Sequence, residues 1–138
     1  MKKLASILIL ALLSTLGVVY ADNPIDPNQL PTHTKKFLRQ NFRYAMPIYA
    51  SHDRDGYDVM MNDNSTIEFD RKGYWTEVKC AEGVPESVIP APIRVYLTRR
   101  FEGVKVIKIE QEKKGYEVEL ATGMELRFNK KGDFIGVD

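Results

Sequence analysis

The chain carries one pattern written twice. Leu30–Val78 aligns without a gap on Ile89–Val137, 49 pairs at a constant offset of 59 residues, of which 11 are identical. These are Pro31/Pro90, Leu38/Leu97, Phe42/Phe101, Ile48/Ile107, Gly56/Gly115, Tyr57/Tyr116, Val59/Val118, Phe69/Phe128, Lys72/Lys131, Gly73/Gly132 and Val78/Val137. Roughly three identities would arise by chance at average composition. Most of them are apolar residues or turn glycines, the positions a duplicated fold constrains most, whereas the polar positions have drifted. A unit of 49 residues is marginal alone. The two units are therefore expected to form one small domain or a closely packed pair, and the sequence leaves open whether they share a single sheet.

Residues 1–21 are set apart from this pattern. Lys2 and Lys3 precede an apolar run from Ile7 to Leu13 and a small-residue ending, Val19-Tyr20-Ala21, which is the form of a cleaved secretory signal. Ser14, Thr15 and Gly17 interrupt the run well short of the roughly 20 apolar residues a retained anchor needs, so no stable membrane anchor is expected after cleavage. Without Lys2 and Lys3 the 20 basic residues fall to 18 against 19 acids. A balance this close to neutral argues against a general nucleic-acid binder. The single cysteine, Cys80, cannot close an internal disulfide, so core packing or a partner must supply stability.

Read in order, residues 22–29 hold Pro24 and Pro27 among polar residues and are expected to be an irregular leader. Leu30-Pro31 starts a helix with Phe37, Leu38 and Phe42 on an apolar face and Lys35, Arg39 and Arg43 on another. Pro47 ends it. Four strands follow, at Ile48–Ser51, Tyr57–Met61, Thr66–Phe69 and Tyr74–Lys79, separated by turns at Asp55-Gly56, Asn62–Ser65 and Asp70–Gly73. Alternation sets Tyr57, Val59 and Met61 on one face and Asp58 and Met60 on the other. Residues 80–88 are the connector. The second unit then repeats the order: a helix from Ile89-Pro90 with Ile93, Tyr96, Leu97 and Phe101 in register, then strands at Val104–Glu112, Tyr116–Leu120, Met124–Phe128 and Phe134–Val137.

The fold class is thus α+β, two tandem repeats (30–79 and 89–138) of one helix followed by a four-stranded antiparallel meander. Such a meander must cover one apolar face, and its own helix is the nearest cover. The opposite face carries Asp58, Met60 and Glu68 in the first repeat and Glu117, Glu119 and Arg127 in the second.

Catalytic constellations are not assembled by this pattern. His33 and His52 have no counterparts in the second repeat and lack metal-ligand spacing, and nothing beside Cys80 supplies a base. Asp53–Asp58 has its glycine at the fourth rather than the sixth place of a calcium loop and no glutamate at the twelfth, so it reads as a turn. Aromatic residues are the better binding candidates. Tyr49 and Tyr74 have no aromatic equivalents at Lys108 and Asp133, so core symmetry does not require them, and tyrosine is enriched at protein contacts. With Met60 and Glu68 they form the candidate protein-binding set.

The ordered elements in duplicate (Leu/Ile-Pro, a helix ending in Phe, Gly-Tyr-x-Val, a strand ending Phe-Asp or Phe-Asn, and Lys-Gly) resemble the PepSY-like family of exported bacterial proteins, also described as β-lactamase-inhibitor-like. The resemblance covers Leu30 to Asp138. It implies a periplasmic or secreted protein without catalysis or cofactor, which binds another exported protein and modulates or inhibits a hydrolase. The alternative drawn from the residues is a periplasmic carrier that encloses a small apolar or amphipathic ligand between sheet and helices.

Overall fold

The computed structural model describes residues 23–138, and the signal-like segment 1–21 lies outside them. Alternating apolar residues on each strand give the chain one greasy face per meander, and the structure joins the two faces edge to edge. Among the described residues, nine antiparallel strands form a single sheet in strict sequence order. They are β1 (Asn23–Ile25), β2 (Pro47–Asp53), β3 (Gly56–Met61), β4 (Thr66–Phe69), β5 (Trp75–Lys79), β6 (Val106–Glu112), β7 (Gly115–Leu120), β8 (Glu125–Asn129) and β9 (Phe134–Val137). The helices α1 (Thr32–Asn41) and α2 (Ala91–Arg100) supply apolar residues to the core that covers one side of this sheet.

The seam between the repeats is β5 against β6, with Glu77, Val78 and Lys79 opposite Glu110, Ile109 and Lys108. Val78 and Ile109 are both fully buried there, so the core runs through the seam without a break. A shared sheet removes two free edges at once, which favours joining two units that are each marginal in size.

Where the sequence suggested an irregular leader over 22–29, residues 23–29 are partly regular. Asn23–Ile25 pairs with His52, Ser51 and Ala50 as the edge strand β1, and Pro27–Gln29 forms a single 3-10 turn capped by the Asp26 side chain, which accepts from Asn28 N at 2.9 Å. The reason is that β2 would otherwise leave its outer row of backbone groups unpaired, and a proline such as Pro24 is tolerated at an edge.

Each helix begins after its proline, with the Pro31 carbonyl accepting from Thr34 N and Lys35 N and the Pro90 carbonyl from Ile93 N and Arg94 N, all at 3.0 Å. Leu38, Phe42, Ile93 and Leu97 are buried against the sheet residues Val59, Met61, Ile67, Phe69, Val118, Leu120, Leu126 and Phe128. Buried Thr34 fixes α1 to the turn between β4 and β5 by donating from Oγ1 to the Gly73 carbonyl at 2.7 Å. The repeat extends to the irregularities. The register shifts at Pro47/Tyr49 and Glu68/Phe69 recur at Val106/Lys108 and Arg127/Phe128.

Candidate functional site

Among the described residues, the helices cover one face of the sheet and no helix or strand covers the other. Two rows of side chains cross that open face from strand to strand. The first runs Ser51, Asp58, Glu68, Glu77, Glu110, Glu117 and Arg127, each directly opposite the next. The second, two residues along each strand, runs Tyr49, Met60, Thr66, Lys79, Lys108, Glu119 and Glu125.

Three of the four expected contact residues come together here. Tyr49 and Met60 are cross-strand partners, 41% and 39% exposed, and Glu68 lies in the neighbouring row. Tyr74 is placed elsewhere. It precedes β5 and stacks on His33 of α1 at 4.6 Å, on the helix side of the sheet. The reason is local: Asp70 Oδ1 accepts from Tyr74 N at 3.0 Å and holds the residue in the turn rather than in the strand alternation. Glu77 and Glu110 are the residues that sequence reasoning missed. Alternation along β5 and β6 marks their face, but only the pairing across the repeat seam puts them side by side.

Carboxylates crowd this face and alter one another. Glu117 is pushed up to about 7, first by burial and then by a hydrogen bond to Asp138 and the charges of Glu110, Asp138 and Glu125. Burial works to lower Lys108, but its 3.1 Å pair with Glu110 and the charges of Glu110, Glu77 and Glu119 outweigh that and hold it above its usual range. Arg127 Nε meets Asp138 Oδ1 at 2.6 Å at the far end. Among the described residues, Glu117, Glu125 and Asp138 are close enough to share a cation, with oxygens within 4.8 Å of one another, and Arg127 already supplies positive charge there through Asp138.

A pH dependence follows from Glu117. Its proton is held more tightly in the folded state than at its ordinary value of 4.5, so folding takes up a proton, and stability falls as pH rises from about 4.5 through about 7. The Glu117→Gln variant is therefore expected to melt above the parent protein near about pH 8 and level with it only near about pH 4, below the ordinary value. Thermal melts at the two pH values test this, and a gap independent of pH would remove the shared proton from the account.

The residues weighed for catalysis are dispersed. His33 is paired with Tyr74, and exposed His52 stacks on its cross-strand partner Tyr57 at 4.3 Å. Cys80 is buried, which raises its thiol, with a hydrogen bond to Ser65 working the other way and the charge of Asp63 adding to the rise. Asp53 Oδ1 accepts from Asp55 N at 2.7 Å and Gly56 N at 3.1 Å, an Asx turn rather than an ion loop. The space between helices and sheet is filled, with Phe69 and Phe128 each 1% exposed. Two equivalent clefts of about 390 Å³ open at the rim, one beside Leu38, Met46 and Met61 and the other beside Leu97, Phe101 and Val106.

A family model described as "Putative beta-lactamase-inhibitor-like, PepSY-like" matches residues 55–136. The chain is 38% identical to a "putative calcium-regulated periplasmic protein" of Bacteroides thetaiotaomicron, over 85% of this chain and 96% of the other, with a TM-score of 0.80. It is 35% identical to a periplasmic protein of Bacteroides vulgatus, over 88% and 99% of the two chains, also at a TM-score of 0.80. A second Bacteroides vulgatus periplasmic protein, of unknown function, is 32% identical over 85% and 98%, at a TM-score of 0.79. No curated protein matches the chain. No helix among the described residues is long and apolar enough to cross a membrane.

Proposed function

The chain belongs to the PepSY-like, β-lactamase-inhibitor-like family, and on that premise we propose that its open sheet face binds another exported protein and restrains or modulates a hydrolase. The domain is a non-catalytic, protein-binding module of periplasmic or secreted type. The observation that carries the finer reading is the bare face itself. A nine-stranded sheet presents Tyr49 and Met60 as an exposed apolar pair beside a row of charge, the mixture of anchor and polar surround that protein contacts use. The filled core counts against a carrier that encloses its ligand.

Capture from periplasmic extract of the source cell, with the chain from Asp22 as bait, tests this. Tyr49→Ala and Met60→Ala are each expected to weaken retention of the partner by about tenfold or more, with melting temperatures unchanged. Tyr74→Ala, on the helix side, is expected to retain it. Equal retention by all three variants would move the contact off this face, and inhibition of the captured enzyme by the bait would separate restraint from mere association.

A further inference from the structure

Val78 and Val137 hold the same place in the two repeats, in the last strands β5 and β9, yet they meet different neighbours. Val78 is 0% exposed, because β6 lies alongside and sets Ile109 opposite it. Val137 is 55% exposed, and no strand among the described residues lies outside β9. Exposed Phe134 and Ile135 extend the apolar stretch, and Phe134–Val137 holds no charged residue and no proline. Free edges are ordinarily blunted by such residues, so β9 is a strand template left open. Its register shift at Arg127/Phe128 does not close it, since β5 carries the same shift and still pairs with β6.

The other edge of the sheet is treated differently. Ala50 of β2 is the counterpart of Ile109, and Ile25 of β1 lies opposite it, in the place that Val78 takes at the seam. Ala50 is accordingly buried. β1 is three residues long and contains Pro24, which has no N–H to offer a further strand. The sheet is capped at its head and open at its tail.

We propose that this tail is an interface between two copies of the chain, β9 against β9 in antiparallel pairing about a two-fold axis. With the head capped, tail-to-tail is the strand pairing left to a second copy, and a two-fold contact of this kind closes at a dimer. The backbone is oriented for it. The Asp138 amide donates to the Glu125 carbonyl at 3.0 Å, so alternation along the strand turns the Val137 N–H and C=O outward. Laying the three-residue ladder of the seam on this edge puts Val137 opposite the second copy's Val137, and Gly136 opposite its Asp138. Apolar meets apolar there, and Arg127 already answers the Asp138 carboxylate. Tyr49 and Met60 lie on strands at the far end of the sheet, so the interface is independent of the protein-binding reading above. A ladder this short buries less than the roughly 1,200 Å² of a standard interface, so the dimer is expected to depend on concentration.

Sedimentation of the chain from Asp22 tests this. Its mass is expected to rise from that of a monomer near about 10 μM toward twice that value near about 500 μM, as mass action requires of a weak dimer. Val137→Lys is expected to stay monomeric throughout and to melt with the parent in dilute solution, because the side chain it replaces is already exposed. Ile48→Lys removes an equally exposed apolar residue from the first repeat and is expected to associate as the parent does. Should Val137→Lys fail to fold, amide exchange in the parent carries the test. The Val137 amide is expected to exchange at least about threefold more slowly in the concentrated sample than in the dilute one, with the amides of β1 unchanged.

A monomer at every concentration would overturn the proposal, as would a Val137 amide indifferent to concentration. So would a mass that climbs past the dimer, because β1 would then be no cap. Association lost with Ile48→Lys but kept with Val137→Lys would move the contact to the first repeat. A chain that stays monomeric yet loses a captured partner with Val137→Lys would give this edge to a foreign strand and not to a second copy.

Discussion

Replacing Phe128 by alanine is expected to cost about 3–5 kcal/mol, and Phe69→Ala the same, because each removes a whole ring from a site with no route for water or collapse. Both side chains are 1% exposed. Phe128 packs edge-on to Tyr96 at 5.5 Å and to Phe134 at 5.8 Å, and Tyr96 and Phe134 stack on each other at 4.7 Å. Phe69 sits likewise, edge-on to Phe37 at 5.8 Å, with Phe37 stacked over Trp75 at 6.4 Å. These residues are related pairwise by the offset of 59, so each repeat has one aromatic cluster joining helix to sheet. Against a total stability of about 5–15 kcal/mol for a domain, either loss approaches unfolding. Because β5 and β6 share the core, it should weaken both repeats in one transition. Urea denaturation followed by fluorescence and by circular dichroism tests this. A loss under about 1 kcal/mol would refute the packing, and two separated transitions would refute the shared core.

Gly56→Ala and Gly115→Ala are expected to be as damaging, on the order of 4 kcal/mol, for a different reason. Both glycines have positive φ, 144° and 149°, and begin the second strand of a hairpin. A Cβ at Gly56 would lie 2.0 Å from the Phe69 carbonyl oxygen and 2.7 Å from the Asp70 carbonyl carbon. At Gly115 it would lie 2.0 Å from the Phe128 carbonyl oxygen. These are backbone atoms of the neighbouring strand, so no side-chain rotation relieves the contact and the β3–β4 or β7–β8 pairing must open. Gly123→Ala is the comparison. Its φ is 94° but nothing lies within 4 Å of the added carbon, so only backbone strain of about 1–2 kcal/mol is expected. Equal losses at Gly115 and Gly123 in denaturant titrations would show that strain, not contact, accounts for the effect.

Much of the fold could be read before any coordinate. The offset of 59, the Asp-Gly and Lys-Gly turns and the period-two alternation mark both meanders and assign Val59, Ile67, Val118 and Leu126 to the covered face, because a one-residue slip would bury the opposite set. Identity between repeats was a less complete guide where a bulge intervenes. Ile48 matches Ile107, yet it is 59% exposed, since the register shift between Pro47 and Tyr49 takes it out of the core alternation. β1 was hidden in a proline-containing leader because what makes residues 23–25 a strand is an unpaired edge contributed by β2, not their own propensity.

The repeat, the class of each element and the polarity of each face are all encoded locally, in periodicity and turn chemistry. That β5 joins β6 into one sheet, and with it that Glu77 and Glu110 bridge the acids of the first repeat to Glu117 of the second, emerges from long-range packing alone. The tertiary structure also decided that Tyr74 leaves the face that Tyr49 and Met60 share. Strand pairing across the connector is a long-range choice, settled by burying Val78 against Ile109, and no local pattern in either repeat encodes that partner.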